Sequence, residues 1–472
     1  METSKVDRQD NSVLEIPDMS LGGMDNFHSV EETQTAAVTF DVSALEETET
    51  SLADQTQYTS QIESINEDEI SISQAANSSD VCESMDYSST APLEDISQTE
   101  SNRTIIEECD EKSFFKESLL ELGRYLWKTD HEKQCYTKGC LWSPDGTCCL
   151  VPVHLDGMHL IELPSDLYRG KVTSKRPITQ LSTAVHVKEG GTVYDCAWYP
   201  FMNSELPETC CWLASRQHEP IQMWDAFNGD LRASYRGYDD VDEVEAAISV
   251  IFSNDGEQVF GGYKKCIRAF QTNIPGRSCT KLVTKQAISC FALTPNNKDI
   301  ITTGSWNGVI SLFDQRMPNM GSLHSLFGHN GGITFLKYSN NGEILFSGAR
   351  KDNALCLWDM RDFSKPLTVL NRSVLSNQRI YFDLSPQNEW LLSGDSEGLI
   401  RMWNLKDLEE KRSFRVHGDS CNGVSFHPTR PIIASSAGQY HFVDQTEEKC
   451  EEGKVVDYEN SLVFWWIEPR SC

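Results

Sequence analysis

Between Gly139 and Trp466 the chain repeats one phrase seven times: a short apolar strand ending in a polar turn, a second apolar strand containing Ser or Gly, and an alternating strand closing on an aromatic. The closing aromatics, mostly followed by an acidic residue, fall at Trp224-Asp225, Phe270, Phe313-Asp314, Trp358-Asp359 and Trp403, spaced by 46, 43, 45 and 45 residues, with Ile161 before them and Trp465 after. A period of about 40–45 residues with a terminal Trp-Asp marks WD repeats, each of which is one four-stranded blade. A blade cannot bury both faces alone, so blades stack radially into a ring with short, protected edges. The expectation is an all-β chain, a seven-bladed WD-repeat β-propeller over residues 139–467 that presents loops on a rigid frame.

Charge separates this repeat region from what precedes it. Residues 1–110 hold 26 of the 71 acidic residues but only three basic ones, Lys5, Arg8 and Arg103, so most of the overall charge of −30 belongs to that segment. Its aromatics are Phe27, Phe40, Tyr58 and Tyr87, and it is rich in Ser, Thr and Glu. Such a segment buries too little apolar area to offset the entropy of ordering its chain, so it reads as a disordered acidic tail. Stretches such as Glu63 to Ile70 set Ser beside acids, a pattern open to an acidophilic kinase, with a simply solvating tail as the plainer reading.

The 16 cysteines are scattered through expected strands (Cys196, Cys266, Cys290, Cys356), and none form a Cys-x-x-Cys pair. They read as buried free thiols of a reducing compartment, not as a disulfide scaffold or a metal site. No apolar run approaches a membrane span, and Met1 to Asp10 has no apolar core, so a soluble nucleocytoplasmic protein is expected.

Within the ring, blade one is read from Gly139 to Leu163 and blade two from Val193 to Gly237, with an insertion between them. Blades three to six follow over Ala246–Gly276, Ala287–His329, Gly331–Leu370 and Ile380–Gly418. Blade seven starts at Cys421, carries an acidic insertion at 444–459, and resumes at Leu462-Val463-Phe464-Trp465-Trp466. It lacks an outer strand unless the lead-in segment, 111–138, supplies one. Leu122 to Thr129, with Tyr125 and Trp127 alternating, is the candidate, and pairing it there removes an open sheet edge. The competing reading is a short helix over Phe114 to Leu122 followed by a loose linker.

Blade five carries the full hydrogen-bonding set of a WD repeat: His329, Ser347, Asp352 and Trp358. In a propeller the hairpin between second and third strands emerges on the same face as the link into the next blade. Aligning those loops brings together Arg216-Gln217-His218 of blade two, Tyr263, Lys264 and Lys265 of blade three, Trp306 of blade four, Arg350 and Lys351 of blade five, and Gln378 and Arg379 of the link into blade six. Lys and Arg meet phosphates while Tyr and Trp stack on bases, which is what an unpaired RNA strand requires. Each residue also has a structural alternative: Trp306 can fold back over its own blade, and Arg350 can pair with Asp352. Asp239, Asp240, Asp242, Glu243 and Glu245 put five acids on that same face, where they would border an RNA path or dock a basic protein. The chain has no Gly-x-Ser-x-Gly, phosphate-binding loop or His-Glu-x-x-His, and neither an enzyme nor a cofactor is expected.

The runs Trp224-Asp225-Ala226-Phe227-Asn228-Gly229-Asp230-Leu231-Arg232-Ala233-Ser234, Ser347-Gly348-Ala349-Arg350-Lys351-Asp352 and Asn377-Gln378-Arg379-Ile380-Tyr381-Phe382-Asp383-Leu384 closely resemble the telomerase Cajal body protein family, over residues 120–467. The resemblance implies a scaffold that recognises the Cajal body box of small Cajal body RNAs and of telomerase RNA and delivers them to nuclear Cajal bodies. Implied partners are the dyskerin-containing ribonucleoprotein, telomerase, the survival-of-motor-neuron complex and the cytosolic chaperonin. A second class of function, a substrate receptor of a cullin ubiquitin ligase, is suggested by Trp358-Asp359-Met360-Arg361 and Phe313-Asp314-Gln315-Arg316, which fit a Trp-Asp-x-Arg box.

Overall fold

A computed structural model describes residues 119–128, 134–170, 172–188, 191–441 and 458–467. The acidic tail, with its Glu63 to Ile70 stretch, and most of the 444–459 insertion lie outside the described residues. Seven sheets form the seven-bladed propeller; six are four-stranded and antiparallel, and the last joins strands from both ends of the described chain and adds Thr179–Gln180 in parallel at its edge. Among the described residues the only helical elements are 3₁₀ turns, at Ser165–Leu167 and Pro207–Thr209.

Blade five shows how sequence sets a blade. Its strands are Ile333–Tyr338, Ile344–Ala349, Ala354–Asp359 and Thr368–Asn371. The second and third are apolar and buried almost throughout, because neighbouring blades cover both faces. Outer strands lose one of those covers and alternate, as in Ser322–Phe327 and Lys411–Arg415. The core is correspondingly divided between blades: Leu213, Ile221 and Tyr235 of blade two pack with Val250, Val259 and Phe270 of blade three. Side chains also tie the inner strands around the axis. Asp195 Oδ2 accepts from Val250 N at 3.1 Å, Ser249 Oγ donates to Ile288 O at 2.9 Å, and Asp383 Oδ2 accepts from Phe426 N at 2.7 Å.

Two boundaries differ from the sequence reading. The segment taken as an insertion after Leu163 contains the outer strand of blade one, Thr183–Val187, in register as Met158↔Val187, His159↔His186 and Leu160↔Val185. Its residues are half-exposed in alternation, so it lacks the apolar run that marks the inner strands. The ring is closed by Leu120–Leu126, which begins earlier than the alternating stretch and pairs antiparallel with Ser461–Trp466, from Leu120↔Trp466 to Leu126↔Ser461. Residues 120–122 are therefore extended, not helical. Leu122 is fully buried there, and Trp127 N donates to Asn460 O at 3.0 Å.

Candidate nucleic-acid interface

In blade five, His329 Nδ1 lies 3.0 Å from Asp352 Oδ2 and Nε2 lies 2.7 Å from Ser347 Oγ, which also accepts the Trp358 indole N–H at 2.8 Å. Asp352 accepts two backbone N–H groups as well, from Asn330 and Ala354. Burial works to raise its pKa, but the His329 hydrogen bond and those N–H groups outweigh it and hold the carboxyl at about 2. Blade seven builds the same set from His417, Ser435, Trp465 and Glu459: His417 reaches Glu459 at 2.8 Å and Ser435 at 2.7 Å. Sequence reading missed this second set, because Glu459 replaces Asp and arrives only after a long insertion. The His in a Gly-His-like position followed by a buried Ser and Trp was the available signal.

The hairpins and links of the top face surround a bowl of about 1260 Å³ at the mouth of the central channel. Lys264, Trp306, Arg350, Lys351, Gln378 and Arg379 all line it. Trp306, on the blade-four hairpin, is 46% exposed, so its ring is not folded onto its own blade. Arg350 donates from Nη2 to the Trp306 carbonyl at 3.4 Å, and Asp352 is already engaged by His329. Lys351 holds a left-handed backbone, φ 48°, and extends an exposed side chain. Lys265 is exposed on the blade-three hairpin but does not line the bowl.

Tyr263 corrects the sequence reading. It is fully buried between blades two and three, with Arg268 over its ring at 4.7 Å, and so has no face to offer a base. Gly237 makes this possible, since a Cβ there would stand 2.6 Å from the Tyr263 hydroxyl. Arg379 and Gln378 likewise serve the frame. Arg379 Nη1 donates to Asp195 Oδ1 at 2.6 Å and to the Tyr381 hydroxyl at 3.1 Å, and Nη2 donates to Ser289 O at 3.2 Å. Burial opposes the charge on Arg379, but Asp195 more than compensates, and its pKa is raised. Gln378 Nε2 donates to Thr137 O and Gly438 O at 3.3 and 3.2 Å, joining the link into blade six to the blade one–seven junction.

The bowl also contains residues that sequence reading missed. Lys138 donates to Val193 O, and its pKa is lowered to about 8 by burial and then by the Arg379 charge. Tyr136 stacks on His154 at 4.8 Å, His441 stacks on Tyr458 at 3.5 Å, and Tyr194 and Tyr440 are 38% and 49% exposed. Tyr136-Thr137-Lys138 precedes blade one just as Asn377-Gln378-Arg379 precedes blade six, which was the legible signal.

The acidic residues form their own hairpin, Gly237–Tyr238 paired with Val244–Glu245, and Asp239, Glu243 and Glu245 line one side of the bowl. Much of that charge is answered locally. Glu245 pairs with Arg268 at 2.9 Å, Asp242 pairs with Arg277, and Asp240 lies 3.8 Å from Lys281. The bowl therefore carries Lys264, Arg350, Lys351 and aromatic faces on one part of its wall, the carboxylates Asp239 and Glu243 on another, and the Arg379–Asp195 ion pair at its floor.

Comparison with known proteins agrees with this architecture. The WD domain, G-beta repeat family matches residues 320–359, which lie across the blade four–five junction. The chain is 52% identical to the telomerase Cajal body protein 1 homolog of Drosophila melanogaster over 377 residues, covering 75% of this chain and 69% of that protein. It is 37% identical to telomerase Cajal body protein 1 of Homo sapiens over 377 residues, covering 74% and 68%, and 38% identical to that of Bos taurus over 354 residues, covering 70% and 65%. In the Trp-Asp-x-Arg boxes, Arg316 and Arg361 fold back on Asp314 and Asp359 at 2.6 and 2.7 Å. With its seven-bladed WD-repeat ring and this degree of identity, the chain belongs to the telomerase Cajal body protein 1 family.

Proposed function

We propose that this chain is an RNA-binding scaffold that receives the Cajal body box of small Cajal body RNAs and telomerase RNA in the top-face bowl and carries the bound ribonucleoproteins to nuclear Cajal bodies, so supporting telomerase trafficking and telomere maintenance. The names of the relatives point to telomerase and Cajal bodies. The single observation that carries the RNA assignment is the arrangement of an exposed Trp306 beside Arg350, with Lys264 and Lys351 on the flanking hairpins of one concave surface. A base stacks on the indole, and the cations take the phosphates on either side. Arg379, Gln378 and Lys138 then act as floor and frame, and Lys265 adds to the field at the rim. The dyskerin-containing ribonucleoprotein, telomerase and the survival-of-motor-neuron complex are partners reached through the RNA, and the chaperonin is a folding partner.

Affinity purification from untreated and nuclease-treated nuclear extract, followed by sequencing of crosslinked RNA, tests the reading. A scaffold of this kind yields box-bearing small RNAs and loses its ribonucleoprotein partners on nuclease treatment. Recovery of a cullin ligase with no enriched RNA, indifferent to nuclease, contradicts it.

A further inference from the structure

We propose that Asp156, His159 and His186 form a binding site for a divalent transition metal of the zinc class, on the top side of blade one and separate from the RNA bowl. The three residues come from the turn after Cys148–Val153, the third strand Gly157–Glu162 and the outer strand Thr183–Val187. His159 and His186 are direct cross-strand partners, and their rings stack at 4.1 Å and 20°. The Asp156 carboxylate spans both: Oδ2 is 2.8 Å from His159 Nε2, and Oδ1 is 3.5 Å from His186 Nε2. One ligand atom from each residue lies within 4.8 Å of the other two. A tetrahedral zinc with bonds of about 2.0–2.1 Å sets its ligands about 3.3 Å apart, so binding requires the two stacked imidazoles to close up and turn until both Nε2 lone pairs point at one ion.

Both imidazoles already turn Nε2 toward Asp156, the side on which a shared metal would sit. His159 Nε2 faces Asp156 Oδ2 at 2.8 Å and His186 Nε2 faces the Asp156 main-chain O at 2.9 Å; with a metal on Nε2, the His159 proton moves to Nδ1, where the Thr183 hydroxyl 3.1 Å away accepts it. Asp156 pairs with these two histidines and, among the described residues, with no lysine or arginine. His186 is exposed on the outer strand, so the metal reaches the site from solvent and keeps an open coordination position there. The Trp127 indole N–H stands 3.4 Å from His159 Nε2, a long contact that bound metal displaces. Two imidazoles and one carboxylate fit zinc, and also cobalt, nickel and copper, better than calcium or magnesium.

The experiment titrates the metal-free full chain with Co²⁺ and follows the visible spectrum, then displaces Co²⁺ with Zn²⁺. The expected result is one equivalent with ligand-field bands but no thiolate-to-cobalt charge-transfer band, which separates this site from the 16 cysteines. His186→Ala and Asp156→Asn should each weaken that equivalent by more than about 100-fold, beyond the 10–100-fold typical for losing a supporting partner of a ligand. Zn²⁺ should raise the melting temperature of the parent and leave that of His186→Ala unmoved, with the two melting alike in chelator because His186 is exposed. Cobalt binding through thiolate alone, or binding unchanged in both variants, overturns the proposal.

Discussion

Arg379, at the threshold of blade six, donates across the axis of the ring to Asp195 on the inner strand of blade two, at 2.6 Å. The same guanidinium reaches Ser289 O of blade four, so one side chain links three blades and stands between the bowl and the opposite mouth of the channel. An arginine in the sequence of a loop reads as solvent-facing. Here the link turns it inward, where a carboxylate awaits it.

That relationship predicts a stability effect. Asp195→Asn and Arg379→Leu, each leaving one buried partner uncompensated, should cost about 3–5 kcal/mol, while the double variant should recover much of the loss. Denaturant unfolding of the three variants checks this. Additive losses in the double variant would mean that the pair is not coupled.

A second prediction concerns acid. His427 Nδ1 accepts the Thr429 and Arg430 N–H groups and its Nε2–H donates to Gly146 O, an arrangement only the neutral ring can make. Burial holds its pKa, like that of His159, at about 4. A depressed histidine contributes stability that is complete above its unfolded value of about 6.5 and is lost as pH falls toward the folded value. Asp352 and Glu459, both held at about 2 against burial by their histidine partners, contribute stability above an unfolded value of about 4 that is lost on further acidification. Melting temperature should therefore fall in two successive ranges, first between about pH 6.5 and 4 and then between about 4 and 2. His427→Gln should shrink the first fall and spare the second.

Closure of the ring gives a third prediction. Leu122 is fully buried in the strand that supplies the last edge of blade seven. Leu122→Ala should cost about 2–5 kcal/mol. A chain beginning after Thr129 leaves Ser461–Trp466 as an unpaired edge and should aggregate, which light scattering would detect.

Charge in the bowl gives a fourth. Lys264→Ala should weaken RNA binding and reduce the slope of log affinity against log salt by about 0.7, the value for one phosphate contact on a single strand. Lys265→Ala, outside the lining, should change the slope less.

The ring was legible because buried strands leave a strong signal: each Trp or Phe closing a third strand repeats at the blade period. The outer strand of blade one was not, since Thr183–Val187 is covered on one side only and reads as loop. Among site residues, exposure divided what sequence could and could not place. Trp306 and Lys264 stand where loop alignment put them, whereas the direction of the Tyr263 ring depends on Gly237 and Gly261, and that of Arg379 depends on Asp195, some 184 residues away. Composition around a hairpin fixes which residues are on a face, but tertiary partners decide which of them remain free.

The most direct test of the central claim is a paired affinity measurement. Fluorescence anisotropy compares a terminal-loop RNA carrying the Cajal body box with the same loop altered in the box, for the parent chain and for Trp306→Ala and Arg350→Ala. The parent should prefer the intact box. Trp306→Ala should lose about 1–3 kcal/mol of binding, as expected when one base loses its stacking partner, with an unchanged melting temperature. Arg350→Ala should reduce the preference itself. Equal affinity of the parent and both variants for the two RNAs would contradict the assignment of RNA recognition to the bowl.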